Sequence, residues 1–307
     1  MNDTTHRLPS TQRRRLRRMR LAIALCGAVS VTAAGRACAQ ASSPPSPKPP
    51  TMRGFAATPT VNMRIFVPSG RVRVTVWDRD SIAVAGSIGA NSSMFGGGRS
   101  DYVKFGVEPL RSGDTNPAEA DWSVTVPRRA HVWVKMTVGT IETVGTSGEL
   151  ELYAVGGSIT VRQASGVVSV ESIDAAVQLD AVRGDIRVRG GKAPMTLHDV
   201  TGTASITSVS GAVTMTGATP ECRVETIGGD IVFDATRLGA SLAELQTHAG
   251  AIRIGIDARR APMLELSSRA GKVTSPPLTG NAANGRVIAR TFKGAVTVTP
   301  NPASKTH

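Results

Sequence analysis

Nine side chains that could bear charge or move protons recur at outward-reading positions in the middle of this chain. They are Arg162, Glu171, Asp180, Arg187, Arg189, His198, Arg223, Glu225 and Asp234. Acids and bases gathered on one face would suit cleavage of a polysaccharide, a reaction that needs carboxyl groups flanking the glycosidic bond. Here the signs are mixed and regularly spaced, which reads as a solvated face; a binding surface built on it would use Arg162, Arg187 and Arg189. No catalytic, cofactor-binding or metal-binding residue is assigned. His131, His198, His248 and His307 are spread too widely for a metal-ligand spacing. Gly228-Gly229-Asp230 and Gly184-Asp185 fall short of a calcium-binding nonapeptide. Gly96-Gly97-Gly98 lacks the Lys-Ser or Lys-Thr of a phosphate loop and reads as a surface loop, and neither a nucleophile elbow nor an HExxH helix is present. Cys222 falls at an inward site and reads as a small buried hydrophobe.

The elements that would carry these residues announce themselves through glycine. Gly139, Gly148, Gly157, Gly166, Gly184, Gly202, Gly211 and Gly229 share one nine-residue frame, and Ala130, Ala175, Ala193 and Pro220 fill its other slots. A small residue at fixed spacing marks a repeated structural unit. Two residues after each slot stand Val132, Ile141, Leu150, Ile159 and their successors, all apolar through Ile231. Four residues after it, only Thr143 is polar. The residue between is mostly polar. Apolar at two and four with polar at three is the period of a strand with one buried face, and β-branched residues suit that surface. Position seven, with Val155, Ala164, Ile173, Val182, Val200, Val209, Ala218 and Ile227, reads as a third inward site before a corner. Each unit is one short strand and one corner. It can bury its apolar face only by stacking on copies of itself, so the fold expected is all-β: a parallel β-solenoid (β-helix) of nine-residue strand units. Two units per coil would place Glu171 beside Arg189 and Arg162 beside Asp180, whereas three would set Arg162 against Arg189. The charge pairing favours two.

Ahead of the repeats, Val61 to Val67 and Arg71 to Trp77 read as a hairpin around Pro68-Ser69-Gly70. Further strands are expected at 81–88, 102–107 and 122–126, with a loop over 89–100. A solenoid end exposes unpaired backbone, so this region is expected to form a β-hairpin or antiparallel cap. After Asp234 the spacing loosens, and 239–300 reads as less regular coils ending in a C-terminal cap.

The N-terminus reads as an export signal. Six arginines between Arg13 and Arg20 precede the apolar and small residues of Leu21 to Ala34, and Ala37-Cys38-Ala39 offers small residues for cleavage. The run is too short to span a bilayer comfortably. The layout expected is a signal peptide over 1–39, a Pro-rich linker over 40–60, an N-terminal β cap region over 61–127, a solenoid repeat domain over 128–300 and a disordered tail over 301–307. The full chain carries a net charge of +13. Eight arginines and one aspartate leave with the signal, so the remainder keeps 28 basic and 22 acidic residues, a net +6. That mild balance gives no reason to invoke nucleic acid.

The run from Trp122 through Val-Pro to Gly139-Thr-Ile-Glu-Thr-Val resembles the bacterial putative-adhesin family of β-strand repeat proteins, a domain of unknown function. Gly157-Ser-Ile-Thr-Val, Gly184-Asp-Ile-Arg-Val and the Val-Trp-Asp ending at Asp78 share the resemblance, which covers roughly 60–300. It implies an exported β-helical protein of the periplasm, cell surface or medium, with no established enzyme activity, and no cofactor is expected. The expected function is adhesion or scaffolding toward a cell-surface glycan or an envelope protein, with no transmembrane domain in the mature chain. The alternatives are a polysaccharide-processing enzyme using the outer face and an envelope signalling partner. Aromatic residues are scarce. Along the regular rungs, Trp133 and Tyr153 are the rings that could stack on a sugar, and Trp133 is expected to stack on the N-terminal region instead.

Overall fold

The computed structural model describes residues 51–300, apart from 114 and 218–220. The expected signal peptide, most of the 40–60 linker and the 301–307 tail lie outside the described residues. Those described are all-β, with two short 3-10 turns. Six strands come first: β1 (Thr51–Ala56), β2 (Asn62–Trp77), β3 (Ser81–Ile88), β4 (Ser92–Arg99), β5 (Tyr102–Pro109) and β6 (Glu119–Pro127). Three long strands follow, β7 (His131–Val144), β8 (Glu149–Arg162) and β9 (Ser165–Asp180). Shorter ones continue as β10 (Arg183–Gly190), β11 (Met195–His198), β12 (Thr201–Ser208), β13 (Val213–Thr216), β14 (Glu221–Thr226), β15 (Ile231–Asp234), β16 (Leu242–Thr247) and β17 (Ile252–Ile256). The last four are β18 (Met263–Ser268), β19 (Val273–Thr274), β20 (Arg286–Thr291) and β21 (Val296–Pro300).

Apart from β1, β3 and β4, which pair antiparallel, these strands stack in parallel in a solenoid-like arrangement with two ladders. On the front ladder Val132, Leu150, Val168, Ile186, Ala204 and Cys222 lie in register. On the back ladder Ile141, Ile159, Val177, Met195, Val213 and Ile231 do the same. Both series step by eighteen residues. Glu171 therefore lies beside Arg189, and Arg162 beside Asp180. The in-register side chains point between the ladders and are almost wholly removed from solvent. Each large aliphatic residue so buried contributes about 1.5–3 kcal/mol. The glycines of the frame have a steric cause: a Cβ on Gly157 would sit 1.9 Å from the Gly139 carbonyl oxygen one coil away.

Four expectations give way to the structure. Residues 61–77 are no hairpin: β2 continues through Pro68-Ser69-Gly70 without reversing and pairs in parallel with β7 on both ladders, Met63 with Val132 and Val72 with Ile141. Gly70 stands in register with Gly139, so the turn signal was that of a coil corner. The loop expected over 89–100 is largely β4, antiparallel to β5, with Gly98 facing Val103. Its glycines let two strands approach, since a Cβ on Gly98 would lie 2.1 Å from the Tyr102 carbonyl oxygen. The 40–60 linker ends in β1, which pairs antiparallel with β3. Finally, the C-terminal rungs are out of chain order. β20 lies between β16 and β18, and β21 between β17 and β19, so the chain reaches the outermost rung at 263–274 and then returns.

Position seven also divides. Ala164, Val182 and Val200, where the chain passes from back to front, are buried as expected. Ile173, Val209 and Ile227, where it passes from front to back, are exposed, Ile227 by 61%. The inward place at that second corner goes one residue earlier, to Ser172, Ser208 and Thr226. Their hydroxyls donate to the carbonyls of Ala175, Gly211 and Gly229. A buried hydroxyl is tolerated there because it satisfies a corner carbonyl that a strand partner cannot reach.

Candidate functional site

The outward face of the front ladder concentrates the chemistry. On it, Trp133 lies in register with Arg64 of β2 and with Glu151 of β8. Alternation of side chains puts Tyr153 and Lys135 in the next outward row. Trp133 packs against Phe66 with ring centroids 4.8 Å apart, as expected for a tryptophan resting on the N-terminal region. Cations cover these rings: Arg64 lies 5.8 Å from the Trp133 centroid, Lys104 4.9 Å from that of Phe66 and Lys135 5.2 Å from that of Tyr153. Each such contact is worth about 0.5–1 kcal/mol at an exposed site. Between Trp133 and Tyr153 lies an open hollow of about 180 Å³, also bordered by Lys135, Glu151, Ser169 and Glu171.

One row away stands a group that the widely spaced histidines did not reveal. His131 Nε2 lies 2.9 Å from Glu151 Oε1, and Nδ1 lies 3.4 Å from Glu149 Oε2. The Asn62 amide nitrogen is 3.5 Å from Nδ1, and the buried Asn62 Oδ1 has no hydrogen-bond partner. The signal was present in the sequence as a residue followed at eighteen and twenty places by glutamate. It becomes visible only once the coil length is known.

The three arginines read as a binding face are not gathered together. Arg187 and Arg189 project from β10 on the front ladder, where Arg187 pairs with Asp185 at 2.6 Å. Arg162 ends β8 on the back ladder, in register with Asp180. Others of the outward charges are spent on one another. Arg223 meets Glu225 at 2.6 Å, and the hydrogen bond it donates to that carboxylate raises its already high pKa. Glu265 accepts from Arg290 and Arg286, which hold its carboxyl below the usual range. The backbone N–H of Ala251, and then Arg253, do the same for Asp230. Burial pushes the Cys222 thiol up to about 12, which keeps it protonated and unreactive.

A second concavity, about 700 Å³, follows the front-to-back corner past Val209, Ile227, His248 and Phe292. His248 and Phe292 stack there at 5.0 Å. Among the described residues, no helix is long and apolar enough to cross a membrane.

Three solved structures align with this chain at low identity. A putative cell adhesion protein from Clostridium sporogenes is 8% identical with a TM-score of 0.26, covering 83% of this chain and 100% of that one. A putative adhesin from Bacteroides fragilis is 12% identical with a TM-score of 0.42, covering 83% and 98%. A putative lipid binding protein from Parabacteroides distasonis is 13% identical with a TM-score of 0.33, covering 81% and 96%. No curated protein matches the sequence. Residues 119–295 match the Toastrack family, DUF4097. That stretch takes in β6 to β20 and more than half of the chain, which belongs to the Toastrack family.

Proposed function

We propose that this protein is an exported, non-enzymatic scaffold of the bacterial envelope, and that it binds anionic cell-surface glycan on the outer face of the front ladder. The observation that carries the reading is the row of Phe66, Trp133 and Tyr153 with Arg64, Lys104 and Lys135 over their rings. A sugar ring stacks on an aromatic face, and a uronate or sulfate finds a cation beside it. The open hollow supports binding along a polymer better than turnover, because hydrolysis needs a site from which water can be excluded. In this reading each eighteen-residue coil is two nine-residue units, and the antiparallel strands β1, β3 and β4 serve as the N-terminal cap of the stack.

The test is binding of the exported form to an array of acidic and neutral glycans. Trp133→Ala with Tyr153→Ala should weaken binding to acidic glycans by about tenfold, equal to about 1.4 kcal/mol, with the melting temperature little changed. Undiminished binding by that double variant would refute the assigned face. Turnover of a polysaccharide by the wild-type protein would refute the non-enzymatic reading.

A further inference from the structure

We infer that His131, Glu149 and Glu151 form a binding site for a divalent transition ion of the zinc class, independent of the glycan reading. Two features of the geometry point there. First, each residue offers a ligand atom, and these atoms lie within 4.8 Å of one another. Ligands bound at about 2.0–2.2 Å in a tetrahedron stand roughly 3.3–3.6 Å apart. Nε2 faces Glu151 at 2.9 Å and the opposite nitrogen, Nδ1, faces Glu149 at 3.4 Å, so an ion held by Nε2 and Glu151 draws the Glu149 carboxylate round to it. Second, the backbone fixes the set. His131 begins β7, and Glu149 begins β8 one coil later. Glu151 follows Glu149 at the spacing that returns a strand side chain to the same face. Rigid elements hold such a constellation better than loops do.

One imidazole with two carboxylates selects zinc-class ions over calcium, which takes oxygen ligands alone. Three protein ligands leave a fourth position open. Glu151 also borders the hollow between Trp133 and Tyr153.

The experiment is titration of the protein, free of any polyhistidine tag, with zinc chloride, followed by calorimetry and by thermal melting. One ion per chain with Kd below about 0.1 mM and a raised melting temperature is expected. Cobalt in place of zinc should give the visible absorption of a tetrahedral site. His131→Ala, and separately Glu149→Gln with Glu151→Gln, should weaken binding by at least about tenfold and abolish the cobalt band. The two glutamines keep shape and exposure, so their fold is checked by the unliganded melt. No heat up to about 1 mM zinc would overturn the site, as would zinc retained at full affinity by His131→Ala. The cluster would then be no more than His131 hydrogen-bonded to its neighbouring carboxylates.

Discussion

The two corners of each coil solve the same problem by different means. Where the chain passes from back ladder to front, the turn is closed by backbone alone. Gln163, Ala181 and Asp199 adopt positive φ, as do Gly145 and Gly217 at the corresponding places in neighbouring coils. The N–H of Gln163 donates to Asp180, that of Ala181 to His198, and that of Asp199 to Thr216, each across to the next coil. Ala164, Val182 and Val200 then fill the inside. Where the chain passes from front to back, side chains close the turn. Ser208, Thr226 and Thr247 bond corner backbone from within, and apolar residues are turned out. A repeat of nine residues in sequence is thus a repeat of eighteen in space. One corner is built to be packed, the other to be presented.

The sharpest way to break this comparison is at the glycines both corners share. Gly157 has φ +103, and an added Cβ would meet the Gly139 carbonyl at 1.9 Å. Gly157→Ala should cost about 3 kcal/mol, from the strained backbone together with the forced separation of two coils. Urea unfolding measures it. A loss under about 1 kcal/mol, on the same scale of strain, would mean that coil spacing is not set by the glycine stack.

The second test sets one corner against the other. Val182 is 0% exposed and Ile227 61%. Val182→Ala should destabilise by about 2 kcal/mol, through lost burial and the cavity left behind. Ile227→Ala should change stability by no more than about 0.5 kcal/mol, as surface substitutions do. Equal losses at the two sites would erase the distinction between the corners.

This contrast also shows what could be read from residues alone. The inward faces at Val132, Leu150 and Ile186 were legible because polar residues flank them with period two. Position seven was not. Valine stands there both at Val182, inside, and at Val209, outside, so residue type carries no sign of direction. What distinguishes the corners is the residue before, such as Ser208, whose buried hydroxyl looks polar and therefore outward in a sequence. Pro68-Ser69-Gly70 failed for a related reason, since a coil corner and a hairpin ask for the same turn residues. The return of β20 between β16 and β18 has no local signature, because a strand pattern names a face and not a neighbour. Of the candidate site, Trp133 and Tyr153 were legible as outward rings. The meeting of His131 with Glu149 and Glu151 depends on a coil length that only the charge pairs Glu171–Arg189 and Arg162–Asp180 hinted at.

The smallest expected effect runs in the opposite direction and tests the backbone-closed corner by itself. Ala181 holds φ 52 without being glycine. A left-handed residue with a Cβ costs roughly 1–2 kcal/mol relative to the right-handed region, and glycine escapes that cost. Glycine also gains freedom in the unfolded chain, which offsets part of the benefit. Ala181→Gly should therefore stabilise the protein by about 0.5 kcal/mol, the difference between those opposing effects. Its N–H bond to the His198 carbonyl at 3.0 Å is unaffected by the change, so the gain isolates the conformational term. The same substitution at Ala175, a buried residue at the other corner that is absent from the positive-φ set, should destabilise, because there glycine only adds unfolded-state freedom and removes a buried methyl. Opposite signs from one substitution at two alanines of a single coil would separate the corners by conformation alone. A loss at both would place the strain of the left-handed turn elsewhere than at Ala181.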